Sequence, residues 1–75
     1  MPKTEGQWRV GVDFNPSGNQ EVAAVKEKAA ELIDMMGTIA GDRDHPGARC
    51  AAVAMTGFEE AAMWAVKAVT KQPNA

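Results

Sequence analysis

Cysteine and histidine are almost missing from this chain: Cys50 and His45 are each the single residue of their kind among 75. Neither recurs at ligand spacing, which excludes a disulfide framework and a structural zinc site as sources of stability. Positive charge is also scarce. A net charge of -2 and a pI near 5.2 argue against wrapping a long nucleic acid, whose affinity comes mainly from neutralising many phosphates. A small anionic ligand in a local basic pocket remains allowed. No apolar run approaches the ~20 residues of a membrane span, and Met1-Pro2-Lys3-Thr4-Glu5 lacks the hydrophobic segment of a secretion signal, so the expected compartment is intracellular and no membrane partner is expected. Internal repeats and low-complexity tracts are absent too.

What the chain has is helical periodicity. From Ala48 to Lys71, Ala48, Ala51, Met55, Phe58, Ala62, Ala65 and Val69 alternate three- and four-residue steps and form one packing stripe. On the opposite side fall Arg49, Val53, Thr56, Gly57, Glu60, Trp64, Lys67 and Lys71, an aromatic ring among cationic and hydrogen-bonding groups. An earlier helix over 20–40 carries Val22, Val25, Ala29, Leu32, Met36 and Ile39 at the same spacing, broadened by Ile33. This stripe is expected to meet the seam of the second helix, 46–71. Lys26 and Lys28 leave the stripe on opposite flanks, about 80° from its centre, while Glu27, Glu31 and Asp34 take the far side.

Loops connect these helices. Asn15-Pro16-Ser17-Gly18-Asn19 collects turn-forming residues and ends in Asn19, a good N-cap, with Ser17 and Gln20 as a second capping pair. Gly41 to Gly47 is short enough to make the two helices antiparallel neighbours, with Asp44 as the expected cap and Pro46 in the first turn of the second helix. Ahead of them, Trp8, Val10, Val12 and Phe14 alternate with Arg9, Gly11 and Asp13, the period of an extended strand. The expected architecture is mainly α: an antiparallel two-helix hairpin in a single domain, with a flexible terminus at 1–7 and an extended arm at 8–14. A lone strand cannot satisfy its own edges, and a chain this short has a core that seldom supplies more than about 3–5 kcal/mol. Both points make assembly as a homo-oligomer the expectation.

Several groups could carry chemistry. Cys50 has no neighbouring base and reads as a small buried residue, His45 as a solvated loop histidine, and Glu59 as a solvated edge. No triad, metal cluster or general acid-base pair is visible, so no catalytic residue, metal or cofactor is expected and binding without turnover is favoured. Trp64 would be exposed in a monomer, and burial by another subunit or by a ligand is the remedy. Arg49 and Lys67 share its face and can supply charge-assisted bonds to phosphate, or pair with Glu60. The start of the first helix offers free N–H groups, and Asn15, Ser17, Gly18 and Asn19 allow close backbone approach by an anion; ordinary capping explains Ser17 and Asn19 equally well.

The strings WRVGVDFNPSGN, VKEKAAELID and MTGFEEAAMWAVKAVTK resemble the small helical-hairpin phage proteins of the anti-CBASS and anti-Thoeris sponge family. The resemblance runs from about Trp8 to Lys71, and EEAAMWAVKA is its most specific segment. It implies a homohexamer of compact helical protomers in the cytoplasm of an infected bacterial host. It also implies sequestration, without cleavage, of cyclic dinucleotides, cyclic trinucleotides or cyclic ADP-ribose isomers. The matching phosphate ligand is Lys26, and the base-stacking aromatic is Phe14 or Trp8. A second pocket of the family uses an arginine just before a threonine on the last helix. Here that pair is Met55-Thr56: Thr56 carries over, the arginine does not, and the second pocket then requires Arg49, two turns earlier on the same face, as the substitute cation. Two other classes compete: a structural or adaptor helical oligomer with no small ligand, and a small DNA-binding regulator, which the negative charge disfavours.

Overall fold

A computed structural model describes residues 2–74 as three helices: α1, Glu5–Val10; α2, Gln20–Ala40; and α3, Ala48–Thr70. The two long helices form the hairpin. The methyl of Met55 lies within van der Waals contact of a Cβ built at Gly37, while Val66 and Thr70 lie beside Val22, so the start of one helix meets the end of the other. Asn19 caps α2 by accepting from the N–H groups of Glu21 at 2.7 Å and Val22 at 3.1 Å. Asn15 braces that cap: its Oδ1 accepts from Asn19 N–H and its Nδ2 donates to Asn19 C=O. Gly18, at φ 66°, makes the left-handed turn between them. Asn19→Ala is expected to lower unfolding free energy by about 1 kcal/mol in a denaturant titration, and an unchanged midpoint would remove the cap from the account.

The expected extended arm at 8–14 and flexible terminus at 1–7 are replaced by α1 and a tight turn; Met1 lies outside the described residues. Thr4 and Gln7 form a reciprocal capping box, the Thr4 hydroxyl accepting from Gln7 N–H at 3.1 Å and the Gln7 side chain accepting from Thr4 N–H at 3.0 Å. At the other end Gly11, at φ 65°, closes the helix with its N–H toward the Gln7 and Trp8 carbonyls. Helix wins here because both ends are capped locally, whereas a solitary strand would leave its backbone groups unpaired.

α1 docks chiefly on α2. Gly6 is buried, and a Cβ there would sit 2.1 Å from the Ala30 carbonyl oxygen, so this approach requires glycine. The Gly6 N–H donates to Asp34 Oδ1 at 2.7 Å. Asp34 is therefore the anchor of the α1 N-terminus rather than a residue of a solvated far side.

This docking rotates the core relative to the expected stripe. Ile33 is fully buried, with Val22, Ala29, Ala30, Ala51, Met55 and Ala62, while Leu32 is 40% exposed. Val25 and Leu32 instead line an open apolar groove with Phe58, Ala61 and Ala65. Three smaller expectations are also corrected. The N-cap of α3 is Gly47 rather than Asp44, Pro46 precedes the helix, and Cys50 is exposed because its position turns away from the seam. His45 is exposed but has a local partner, its Nδ1 accepting from Gly47 N–H at 2.9 Å.

The molecule measures 52 × 30 × 12 Å, a slab rather than a sphere. Its radius of gyration is 14.0 Å, against roughly 11 Å for a compact chain of this length. Its accessible surface is 5734 Å², about 1,300 Å² more than the size scaling of monomeric proteins gives.

Candidate ligand site around Lys26

Among the described residues Lys26 is the one charged side chain within the buried core, 7% exposed. Burying an ammonium is costly unless it is well bonded, and here the α1–α2 turn supplies the acceptors. Its Nζ donates to the Gly11 carbonyl at 2.9 Å and to the Phe14 carbonyl, and it lies 5.4 Å from the centroid of the Phe14 ring. Lys26 thus ties the end of α1 and the turn to α2. An ammonium carries three donors, and two are engaged.

Two clefts adjoin at Lys26 and Val66. One, of about 200 Å³, is lined by Phe14, Asn15, Pro16, Ser17, Val22, Lys26, Val66 and Thr70. The other, of about 260 Å³, is lined by Arg9, Val10, Lys26, Glu59, Ala62, Met63 and Val66. The first brings together four residues that the sequence singles out for ligand binding: Phe14, Asn15, Ser17 and Lys26. Asn19 stands behind it as the α2 cap, joined to Asn15 by two hydrogen bonds. Trp8 is 71% exposed and lines neither cleft, so of the two aromatic candidates Phe14 is the ring beside the lysine.

The remaining candidates lie elsewhere. Arg49, Thr56, Trp64 and Lys67 occupy the outer side of α3, all exposed and none in the Lys26 clefts. Lys67 Nζ sits 5.2 Å from the Trp64 ring centroid, and among the described residues neither Lys67 nor Arg49 is paired with Glu60.

The alternating pattern puts Arg9 opposite the aromatic row, whereas in the structure it lies in the last turn of α1 and reaches toward α3. Its Nε donates to Glu5 at 2.8 Å, and its Nη1 lies 3.7 Å from Glu59 on α3. Glu59 is therefore half-buried and faces a cation, where a solvated edge was expected. The signal available in the sequence was the Glu5/Arg9 spacing of four, a helical pair.

Among the described residues no helix is long and apolar enough to cross a membrane, and no group of three His, Cys, Asp or Glu side chains is placed to hold a metal ion. Residues 6–70 match the Acb2/Tad1 hairpin domain, and the chain belongs to that family, the phage cyclic-nucleotide sponges of the anti-CBASS and anti-Thoeris type. No curated protein and no solved structure is significantly similar to it.

Proposed function

We propose that this protein is a phage anti-defence sponge that binds cyclic nucleotide immune signals in the host cytoplasm and holds them without cleaving them. The carrying observation is Lys26, a buried cation with one donor in reserve, placed beside an exposed aromatic ring where two clefts meet. Cyclic dinucleotides, cyclic trinucleotides and cyclic ADP-ribose isomers share what that arrangement suits: phosphate for the ammonium and a flat base for the Phe14 face.

Each cleft is smaller than the roughly 300 Å³ at which ligand pockets usually begin. A ligand of this size spans both, or a second subunit completes the site. The excess surface supports assembly, since about 1,300 Å² exceeds the roughly 800 Å² per partner of a standard interface. Two apolar surfaces are open for it: the Val25–Leu32–Phe58–Ala61 groove, and the outer side of α3 with Val53 and Trp64. A homohexamer needs more than one kind of contact or a ring closed by one heterologous contact, and the Trp64 side takes subunit joining as its main task. Leu32→Glu and Trp64→Glu are each expected to lower the assembled mass measured by light scattering; parental mass in both would contradict this use of the two surfaces.

The competing reading, a structural or adaptor oligomer, draws on the fact that Lys26, Asn15 and Asn19 already have backbone partners. Thermal unfolding with a panel of cyclic nucleotides separates the two. A ligand at one hundred times its Kd contributes about 2.7 kcal/mol, a rise of roughly 10 °C or more for a domain of this size. No rise with any member of the panel favours the adaptor.

A further inference from the structure

We propose that Arg9 is a second phosphate contact of this site, kept in place by Glu59 until a phosphodiester displaces that carboxylate. The inference rests on reading the Lys26 clefts as a cyclic-nucleotide site and adds a residue, and an exchange of partners, to it.

The geometry of the guanidinium carries the proposal. Only Nε is hydrogen-bonded, to Glu5 on the same helix at 2.8 Å, which fixes the plane of the group. Nη1 lies 3.7 Å from Glu59, too long for a hydrogen bond, so among the described residues the terminal fork donates none. That fork is the part of arginine that matches the paired oxygens of a phosphate. The side chain is 26% exposed and lines the same cleft as Lys26, which also has a donor left. Val10, Ala62, Met63 and Val66 supply an apolar wall for the nonpolar face of a base or sugar.

Charge explains why Glu59 is there. Arg9 and Lys26 bring two positive charges to this region, and Glu5 and Glu59 bring two negative ones. The charges of the cleft are thereby balanced, in keeping with an acidic chain. Glu59 is 39% exposed and holds Arg9 only by a loose pair, so it can turn to solvent at small cost when a better acceptor arrives. A phosphodiester is that acceptor, because charge-assisted bonds from a preset fork are stronger than a long ion pair.

The test measures affinity for 3′,3′-linked cyclic dinucleotide, with inorganic phosphate as a parallel probe, in the parent, Arg9→Gln and Glu59→Gln, alongside thermal unfolding without ligand. Removing a charged contact is expected to weaken dinucleotide binding by about tenfold in Arg9→Gln, while removing the competing carboxylate tightens it several-fold in Glu59→Gln. Tighter inorganic phosphate binding in Glu59→Gln would show that the site reads the phosphate itself. If Arg9 is merely a latch between α1 and α3, both substitutions lower the unfolding midpoint and both weaken binding, which overturns the proposal. Parental affinity in Arg9→Gln overturns it as well while leaving the sponge reading intact. A parent that binds no cyclic dinucleotide overturns this inference, and the sponge reading falls with it when cyclic trinucleotides and cyclic ADP-ribose isomers fail to bind as well.

Discussion

Lys26→Ala is expected to lose cyclic-nucleotide binding and to unfold roughly 10 °C or more below the parent. Two charge-assisted bonds hold the turn, and hydrogen bonds to charged groups contribute about 1.5–3 kcal/mol each, a large share of what a domain this small has to spare. The damage is uneven. The Gly11 carbonyl keeps a second donor, the Phe14 N–H at 2.9 Å, whereas the Phe14 carbonyl depends on the lysine. Phe14 and the end of α1 should therefore loosen first, which amide hydrogen exchange over 10–15 reads directly. Lys26→Met retains most of the stem and its packing, so its stability deficit isolates the ammonium. Affinity must be compared well below both midpoints. A Lys26→Ala protein that binds as tightly as the parent there removes Lys26 from the site.

Gly6→Ala is expected to have a stability effect of the same order. The added methyl would lie 2.1 Å from the Ala30 oxygen and 2.8 Å from the Ala30 carbonyl carbon and Cα, all backbone atoms that no rotamer change can move. α1 must lift away, and with it goes the Gly6–Asp34 bond. Overpacking costs about 1–3 kcal/mol and a bond to a charged acceptor about 1.5–3, so the fall in unfolding free energy should be about 3 kcal/mol. Hydrogen exchange should show protection lost over residues 5–10 before the hairpin opens. Parental protection over 5–10 would mean that the helices tolerate the methyl and that the close approach is not required.

The two long helices were legible because each repeats its apolar spacing over about five turns, enough for one periodicity to exclude another. α1 was not, although its caps were in plain view. Trp8, Val10, Val12 and Phe14 alternate over only seven residues, and that short pattern outweighed Thr4, Gln7 and Gly11, whose capping roles are the stronger physical signal for so short an element. Without a helix at 5–10, nothing asked Ala30 or Asp34 to face inward, so the core stripe was centred on Leu32 rather than Ile33. Arg9, placed on the back of a strand, could not be connected with Glu59. Helical geometry puts Lys26 on a flank of the apolar stripe, but its acceptors are main-chain carbonyls of a turn, which leave no trace in side-chain pattern.

The same contrast applies to the ligand groups. Phe14, Asn15, Ser17 and Lys26 converge because a capped turn returns the chain onto α2. Trp64 and Lys67 lie across the thickness of α3, where helical geometry alone had placed them. Val66 faces the clefts and Trp64 faces outward, so the proposed ligand contact and the proposed subunit joining use different sides of one helix.

The most direct test of ligand holding without cleavage is calorimetry of the full-length protein against cyclic di- and trinucleotides and cyclic ADP-ribose isomers, followed by denaturation and chromatography of the released ligand. Saturable binding of at least one of them, with the ligand recovered unmodified, is the predicted result. Recovery of linear or hydrolysed product, or no binding across the panel, would contradict it.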